Sequence, residues 1–171
     1  MQLETKKLLE DIRGVADRTL NEYAGQISRC VRLLDTEQVW ARVNENCNSV
    51  GNLLLHLQGN LRQWIVSGLG GTAMDRDRPA EFAQRGPVPT DKLLAALTET
   101  VAAARTTIAN ADTAALAKRY SIQQREVSGT RAVFHAVEHF AFHTGQIIQI
   151  TKELRNVGLS LYDEHGQRLT P

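Results

Sequence analysis

Apolar residues recur at three- and four-residue steps through most of this chain, the spacing of amphipathic helices rather than of strands. Leu8, Leu9, Ile12, Val15, Ala16, Leu20, Tyr23, Ile27, Val31 and Leu34 predict a first helix of about eight or nine turns, weakened locally by Gly14 and Gly25. Residues 35–48 are polar apart from Val39, Trp40 and Val43 and read as a connection with a short turn. Ser49 is a good N-cap for a second helix through Leu53, Leu54, Leu57, Leu61, Trp64 and Ile65, which stops at the glycines of SGLGG. The following DRDRPAEFAQRGPVP is too broken by proline and glycine for a long helix, and predicts a long loop with one turn around Ala80 to Ala83.

Thr90 and Asp91 suit the cap and first turn of a third helix carrying Leu93, Leu94, Leu97, Val101, Ala104 and Ile108. Residues 111–129 form a second connection, helical around Ala114 to Leu116, then polar and β-branched through SIQQREVSG. Thr130 is the expected cap of a fourth helix with Val133, Ala136, Val137, Phe140, Ile147, Ile148, Ile150 and Leu154 on its apolar side, ending at Asn156 or Gly158. No strand pair is convincing and no internal repeat is present. The expectation is an all-α four-helix bundle, with two long connections that suggest crossovers. At 171 residues the chain suits a single domain over 1–171, with its core at about 3–156 and a C-terminal tail at 157–171.

Composition narrows the class. Lys and Arg number 20 against 19 Asp and Glu, so the net charge of +1 gives no electrostatic footing for a nucleic-acid or anionic-membrane partner. No apolar run approaches a membrane span, and the charged N-terminus lacks the apolar core of a secretion signal. Cys30 and Cys47 are too few for a disulfide scaffold and lack C-x-x-C spacing. These features together predict a cytoplasmic protein.

Histidine is the exception to this average profile, because three of the five histidines fall within the fourth helix as FHAVEHFAFH. His135, His139 and His143 stand four residues apart, which places them on one stripe about 80° wide. On the second helix, His56 aligns with Ser49, Asn52, Asn60 and Gln63, a polar seam beside the apolar arc of Val50, Leu53, Leu57, Leu61 and Trp64. That seam reads either as the solvated edge of the helix or as the lining of a cleft. In the second case a histidine pair and one histidine from a neighbouring helix supply three imidazoles to a divalent cation and leave positions for water or substrate. A different parse takes His135-Ala-Val-Glu138-His139 as the H-x-x-E-H zinc motif, with Glu138 as base and Glu153 or Glu164 as a later ligand. A ferritin-like di-metal site lacks its paired Glu-x-x-His motifs.

NSVGNLLLHLQGNLRQWI, GLGGTAMDRDRPAEF and HFAFHTGQIIQITKELR resemble the DinB/YfiT-like superfamily of metalloenzymes, specifically a bacterial branch of largely unassigned function. The resemblance covers residues 10–156. It implies a four-helix bundle with a metal, Zn or Ni, at one end, held by His56 from the second helix and by His139 and His143 from the fourth. His143 is placed by the Thr144-Gly145-Gln146 that follows it. His135 then falls one turn outside the triad, as a substrate contact or a packed histidine. The resemblance also implies homodimers and a small-molecule substrate. Its characterised members include thiol-dependent isomerases and transferases, so a low-molecular-weight thiol is one candidate substrate and water in a hydrolase another. A bundle that binds metal without catalysis, serving interaction or stress response, is the alternative.

Other residues carry readings of their own. Arg76, Asp77, Arg78, Glu81 and Phe82 match a loop motif of the branch, either as an ion-pair and aromatic clasp near the cleft or, as the stronger expectation, as a structured surface loop. Asn52 is expected at the polar edge, and Trp40 and Trp64 as core or interface anchors. Cys30 is expected to be packed, Cys47 to lie near the cleft, and His165 to stand in the tail outside the site.

Overall fold

The computed structural model describes residues 2–167. The last positions of the expected domain and tail, 168–171, and Met1 lie outside the described residues. Helix α1 spans Gln2–Val31, α2 Thr36–Trp40, α3 Val50–Leu61, α4 Arg78–Ala83, α5 Thr90–Asn110, α6 Thr113–Ala117 and α7 Gly129–Arg155. Strands β1, Arg119–Ile122, and β2, Arg125–Ser128, form one antiparallel hairpin. The four long helices α1, α3, α5 and α7 make the bundle, and their facing stripes make its core.

Side-chain contacts fix the helix directions. Arg105 of α5 reaches Asp17 and Asn21 of α1, and Arg13 reaches the Ala111 carbonyl just beyond α5, so α1 and α5 are antiparallel. Gln58 meets the Leu93 carbonyl, and Gly70 lies against Thr107, so α3 and α5 run parallel. His56 faces His139 while Asn60 faces His135, so α3 and α7 are antiparallel. The order is therefore up-down-down-up. The connection 71–89 traverses the bundle to start α5 beside the start of α3. The connection after α5 instead turns at one end, through α6 and the hairpin.

Local chemistry explains the element boundaries. Ser49 caps α3 as expected, with Asn52 reciprocating to close a capping box. Beyond Leu61 the same helix widens to a π-helical segment, Arg62–Leu69, before Gly70 ends it. Pro89, not Thr90, occupies the cap position of α5 and makes no side-chain cap; Thr90 is already helical. Ser128 rather than Thr130 caps α7, because the Thr130 hydroxyl donates to the Leu116 carbonyl. Asn156 closes α7 in the left-handed conformation at φ 50°.

The stripe expected on α1 is too wide: Leu8 and Val15 are exposed, and Ala16, Leu20, Ile27, Cys30 and Val31 carry the burial. The hairpin is the element the pattern did not predict. Tyr120 pairs with Val127 and Ile122 with Arg125, too short an alternation to stand out. Its turn uses Gln123 and Gln124, both at positive φ, in place of the usual Asn-Gly. Among the described residues no helix is long and apolar enough to cross a membrane.

Candidate metal centre

The polar seam of α3 is buried, not solvated: Ser49, Asn52, His56 and Asn60 all lie in the interior. Burying polar groups is tolerated when each finds a partner, and here the crossover segment supplies several. Asn52 Nδ2 donates to the carbonyls of Glu81 and Gln84, while Asn52 Oδ1 accepts from Arg42 and Ser49. Arg42 also donates to the Phe82 carbonyl. Asn52 is thus an anchor for the 76–86 segment, which it lashes to α3 alongside His56. Trp40 adds an apolar anchor, half-buried between Gly51 and Gly86, which leave its ring room on both sides.

At the centre of this arrangement His56, 4% exposed, meets His139 and His143. One ring nitrogen from each of the three lies within 4.8 Å of the other two. The Nε2 atoms of His56 and His139 stand 2.8 Å apart. Two further contacts set the ring orientations. His56 Nδ1 lies 2.9 Å from Glu81 Oε2, so it carries the proton and donates to the carboxylate, leaving the Nε2 lone pair to face inward. His143 Nδ1 lies 2.6 Å from Gln146 Oε1 and is oriented in the same way. Such outer contacts are how proteins fix imidazole tautomers at metal sites.

Glu81 is itself held by Arg76, whose Nε and Nη2 donate to its two oxygens at 2.7 and 2.8 Å. Arg76 Nη1 donates to Gln63 Oε1, and that oxygen also accepts from Gln123 at the hairpin tip. A continuous relay therefore runs from the hairpin turn through Gln63, Arg76 and Glu81 to His56. The Phe82 and His56 ring centroids lie 4.7 Å apart, and the Arg78 guanidinium lies over the Phe82 ring, 5.0 Å from its centroid. The loop motif is thus a clasp on the site, not a surface loop.

Electrostatics favour the neutral imidazole at His139 and His143. Burial, reinforced by the charges of His143, His56, His135 and Arg76, pushes His139 down to about 3. Burial also lowers His143, against a smaller opposing effect from its bond to Gln146. Burial raises the Glu81 carboxyl, but hydrogen bonds from His56 and Arg76 and the Arg76 charge outweigh it, and Glu81 stays below the usual carboxylate range. The residues present therefore fit a divalent cation: imidazole nitrogens converging from two helices, with an anionic partner behind one of them.

The remaining candidates lie elsewhere. His135 packs on Trp64 with ring centroids 3.8 Å apart, and its Nε2 is 3.4 Å from Asn60 Nδ2. Burial lowers its basicity first, and the nearby Arg131 adds to this. The H-x-x-E-H parse fails geometrically, since Glu138 is exposed, Glu153 pairs with Gln149 in solvent and Glu164 pairs with His165 in the tail. Trp64 is a core residue, Cys30 is buried, and Cys47 is half-buried beside a cleft. The contacts made by Gln63, Gln123 and Gln146 have no signature in the sequence pattern. Glu81 is named by the loop motif, and Gly59 is a second signal for it: a glycine in a buried helix where Ala is favoured marks a close approach by another group.

Solved structures share this helical architecture. The fold is DinB-like. A DinB-like protein from Bacillus subtilis superposes with a TM-score of 0.60 at 14% identity, covering 88% of this chain and 99% of that one. Another from Bacillus cereus gives 0.58 at 15% identity, covering 78% and 85%. At these identities the likeness establishes the fold alone. The chain itself belongs to the family described as "Protein of unknown function (DUF1572)", whose model matches residues 6–161. No curated protein matches it.

Proposed function

We propose that this protein is a divalent-metal-dependent enzyme whose centre is His56, His139 and His143, with Zn or Ni as the resident ion and a small molecule as substrate. The observation that carries the reading is the convergence of three imidazoles from two helices, two of them oriented through Nδ1 by Glu81 and Gln146. A divalent ion with three such ligands supplies Lewis acidity and open positions, favouring the deprotonated form of a thiol or water that reaches it. The reaction class that follows is transfer to or from a low-molecular-weight thiol, or hydrolysis.

The chain's own groups have defined parts. Glu81 holds the His56 tautomer and is no general base, because Arg76 and His56 occupy both its oxygens. Phe82 packs against the His56 ring and helps exclude water from it. His135, a turn away on α7, is available to contact substrate rather than metal. The same reading takes the protein as a cytoplasmic homodimer without a nucleic-acid or membrane partner, and its mass in solution checks the dimer.

Metal content of untagged protein tests the centre. Less than about a tenth of an equivalent of Zn or Ni under replete conditions sinks the reading, given the tight binding expected of three preorganised imidazoles. His56→Ala, His139→Ala and His143→Ala should each lose most of the metal, and His135→Ala should keep it. Metal-dependent turnover across bacillithiol, mycothiol, glutathione and ester substrates then tests catalysis. Retained metal with no turnover favours a metal-binding bundle without chemistry.

A further inference from the structure

Next to the imidazole cluster, but outside it, lies a cleft of about 590 Å³ between the connection 41–48 and the C-terminal half of α7. That volume is within the roughly 300–1,000 Å³ typical of small-molecule sites. Leu53 of α3, Ile150 and Leu154 give it apolar surface, and the strongly exposed Val43 stands at its edge. Four carboxamides, Asn46, Asn48, Gln146 and Gln149, line it as well.

The wall formed by 41–48 is fixed in place by hydrogen bonds. Arg42 is tied to Asn52 and the Phe82 carbonyl, an Asn44 turn receives the Asn46 and Cys47 amides, and Ser49 caps α3 immediately after. The two charges lining the cleft, Arg42 and Glu153, are opposite in sign and already partnered, Glu153 by Gln149. With one charge of each sign, each hydrogen-bonded to a neutral group, beside amide edges and aliphatic walls, the cleft has no net charge to select an ion of either sign. It suits a molecule that offers amide groups and an apolar segment.

We infer that this cleft is a binding site for an uncharged, amide-bearing small molecule with an aliphatic segment. Gln146 makes the site adjacent to the centre, since it both lines the cleft and accepts a hydrogen bond through Oε1 from His143 Nδ1. On the metalloenzyme reading the occupant is the non-reacting body of the substrate. The binding site itself stands without that reading.

Cys47 lines the cleft and serves as a reporter, while Cys30 is fully buried. The full-length protein is equilibrated with the disulfides of N-hexanoylcysteamine, N-acetylcysteamine, cysteamine and 3-mercaptopropionate over a range of 2-mercaptoethanol concentrations. In each exchange the Cys47 thiolate displaces one half of the disulfide as free thiol, and intact mass gives the fraction of mixed disulfide. The N-hexanoylcysteamine adduct should survive at least about tenfold more 2-mercaptoethanol than the cysteamine and 3-mercaptopropionate adducts, with N-acetylcysteamine between. Leu154→Asp, at a partly exposed wall position, should bring the hexanoyl adduct down to the acetyl value, and Cys47→Ser should abolish adducts. Equal midpoints for all four probes, or a preference unchanged in Leu154→Asp, overturns the inference. The measurement needs no metal, so an absent metal and an absent binding site give different results.

Discussion

Any side chain at position 59 would run into Glu81 Oε1 and Arg76 Nε, so the glycine is what lets the clasp lie against α3. Gly59→Ala should displace the carboxylate, costing about 1–3 kcal/mol in denaturant unfolding and weakening zinc binding in a competition titration. Glu81→Gln strips the counter-charge from Arg76, whose side chain is 5% exposed, and should cost roughly 3–5 kcal/mol. Arg76→Met combined with Glu81→Gln should recover much of that stability while leaving zinc affinity about 10–100-fold below the parent. If the double variant recovers both, Glu81 has no part in orienting His56. At this scale the three histidines were legible, because helical periodicity puts His139 and His143 on one face, the polar seam of α3 offers His56, and the resemblance joins the three. The loop motif flags Glu81 and the seam holds Gln63, but the contacts that join them to His56, Arg76 and Gln123 are tertiary, and no spacing along the chain encodes those.

Among the elements, the helices were visible and their ends less so. Ser49 has the side chain, position and reciprocating partner of a cap. Thr90 and Thr130 have only the residue type, and a neighbouring proline or serine takes the cap position instead. The widening of α3 into a π-helical segment leaves no trace in residue type, since Trp64 and Ile65 are buried in either helix form. In the hairpin, Gln123 and Gln124 both occupy left-handed backbone that favours glycine. Gln124→Gly should therefore stabilise the protein by about 0.5–1 kcal/mol in chemical denaturation. Gln123→Gly should gain less, because it also removes the contact to Gln63. A larger gain at position 123 than at 124 would mean that the relay contributes nothing.

For the whole molecule, the register of α1 on α5 is set in part by Arg105, which forks onto both oxygens of Asp17. The hydrogen bond from Arg105 is the largest influence on Asp17, followed by an opposing effect of burial and then the Arg105 and Arg18 charges; the net effect lowers its carboxyl from 3.8. A carboxyl lowered on folding contributes stability above its unfolded value and loses that contribution as pH falls through its folded value. Asp17→Asn should thus lower the thermal midpoint near neutral pH, and the difference should close in strong acid. The pair is 34% and 45% exposed, which keeps the effect under about 1 kcal/mol. A gap that persists below about pH 2 would assign the loss to packing instead. The bundle class followed from periodicity alone. The up-down-down-up order did not, because the length of a connection does not say whether it crosses the bundle, and only 71–89 does.

His56 lies 83 residues from His139 and 25 from Glu81, and the crossover must dock before all three meet. Loop closure over such separations is entropically costly, so the assembled site belongs to the native chain and not to its unfolded ensemble. An ion captured there acts by mass action on folding itself. Above its dissociation constant, each tenfold rise in free zinc should add about 1.4 kcal/mol to unfolding. The long crossover would then make the lifetime of the folded protein a function of metal supply.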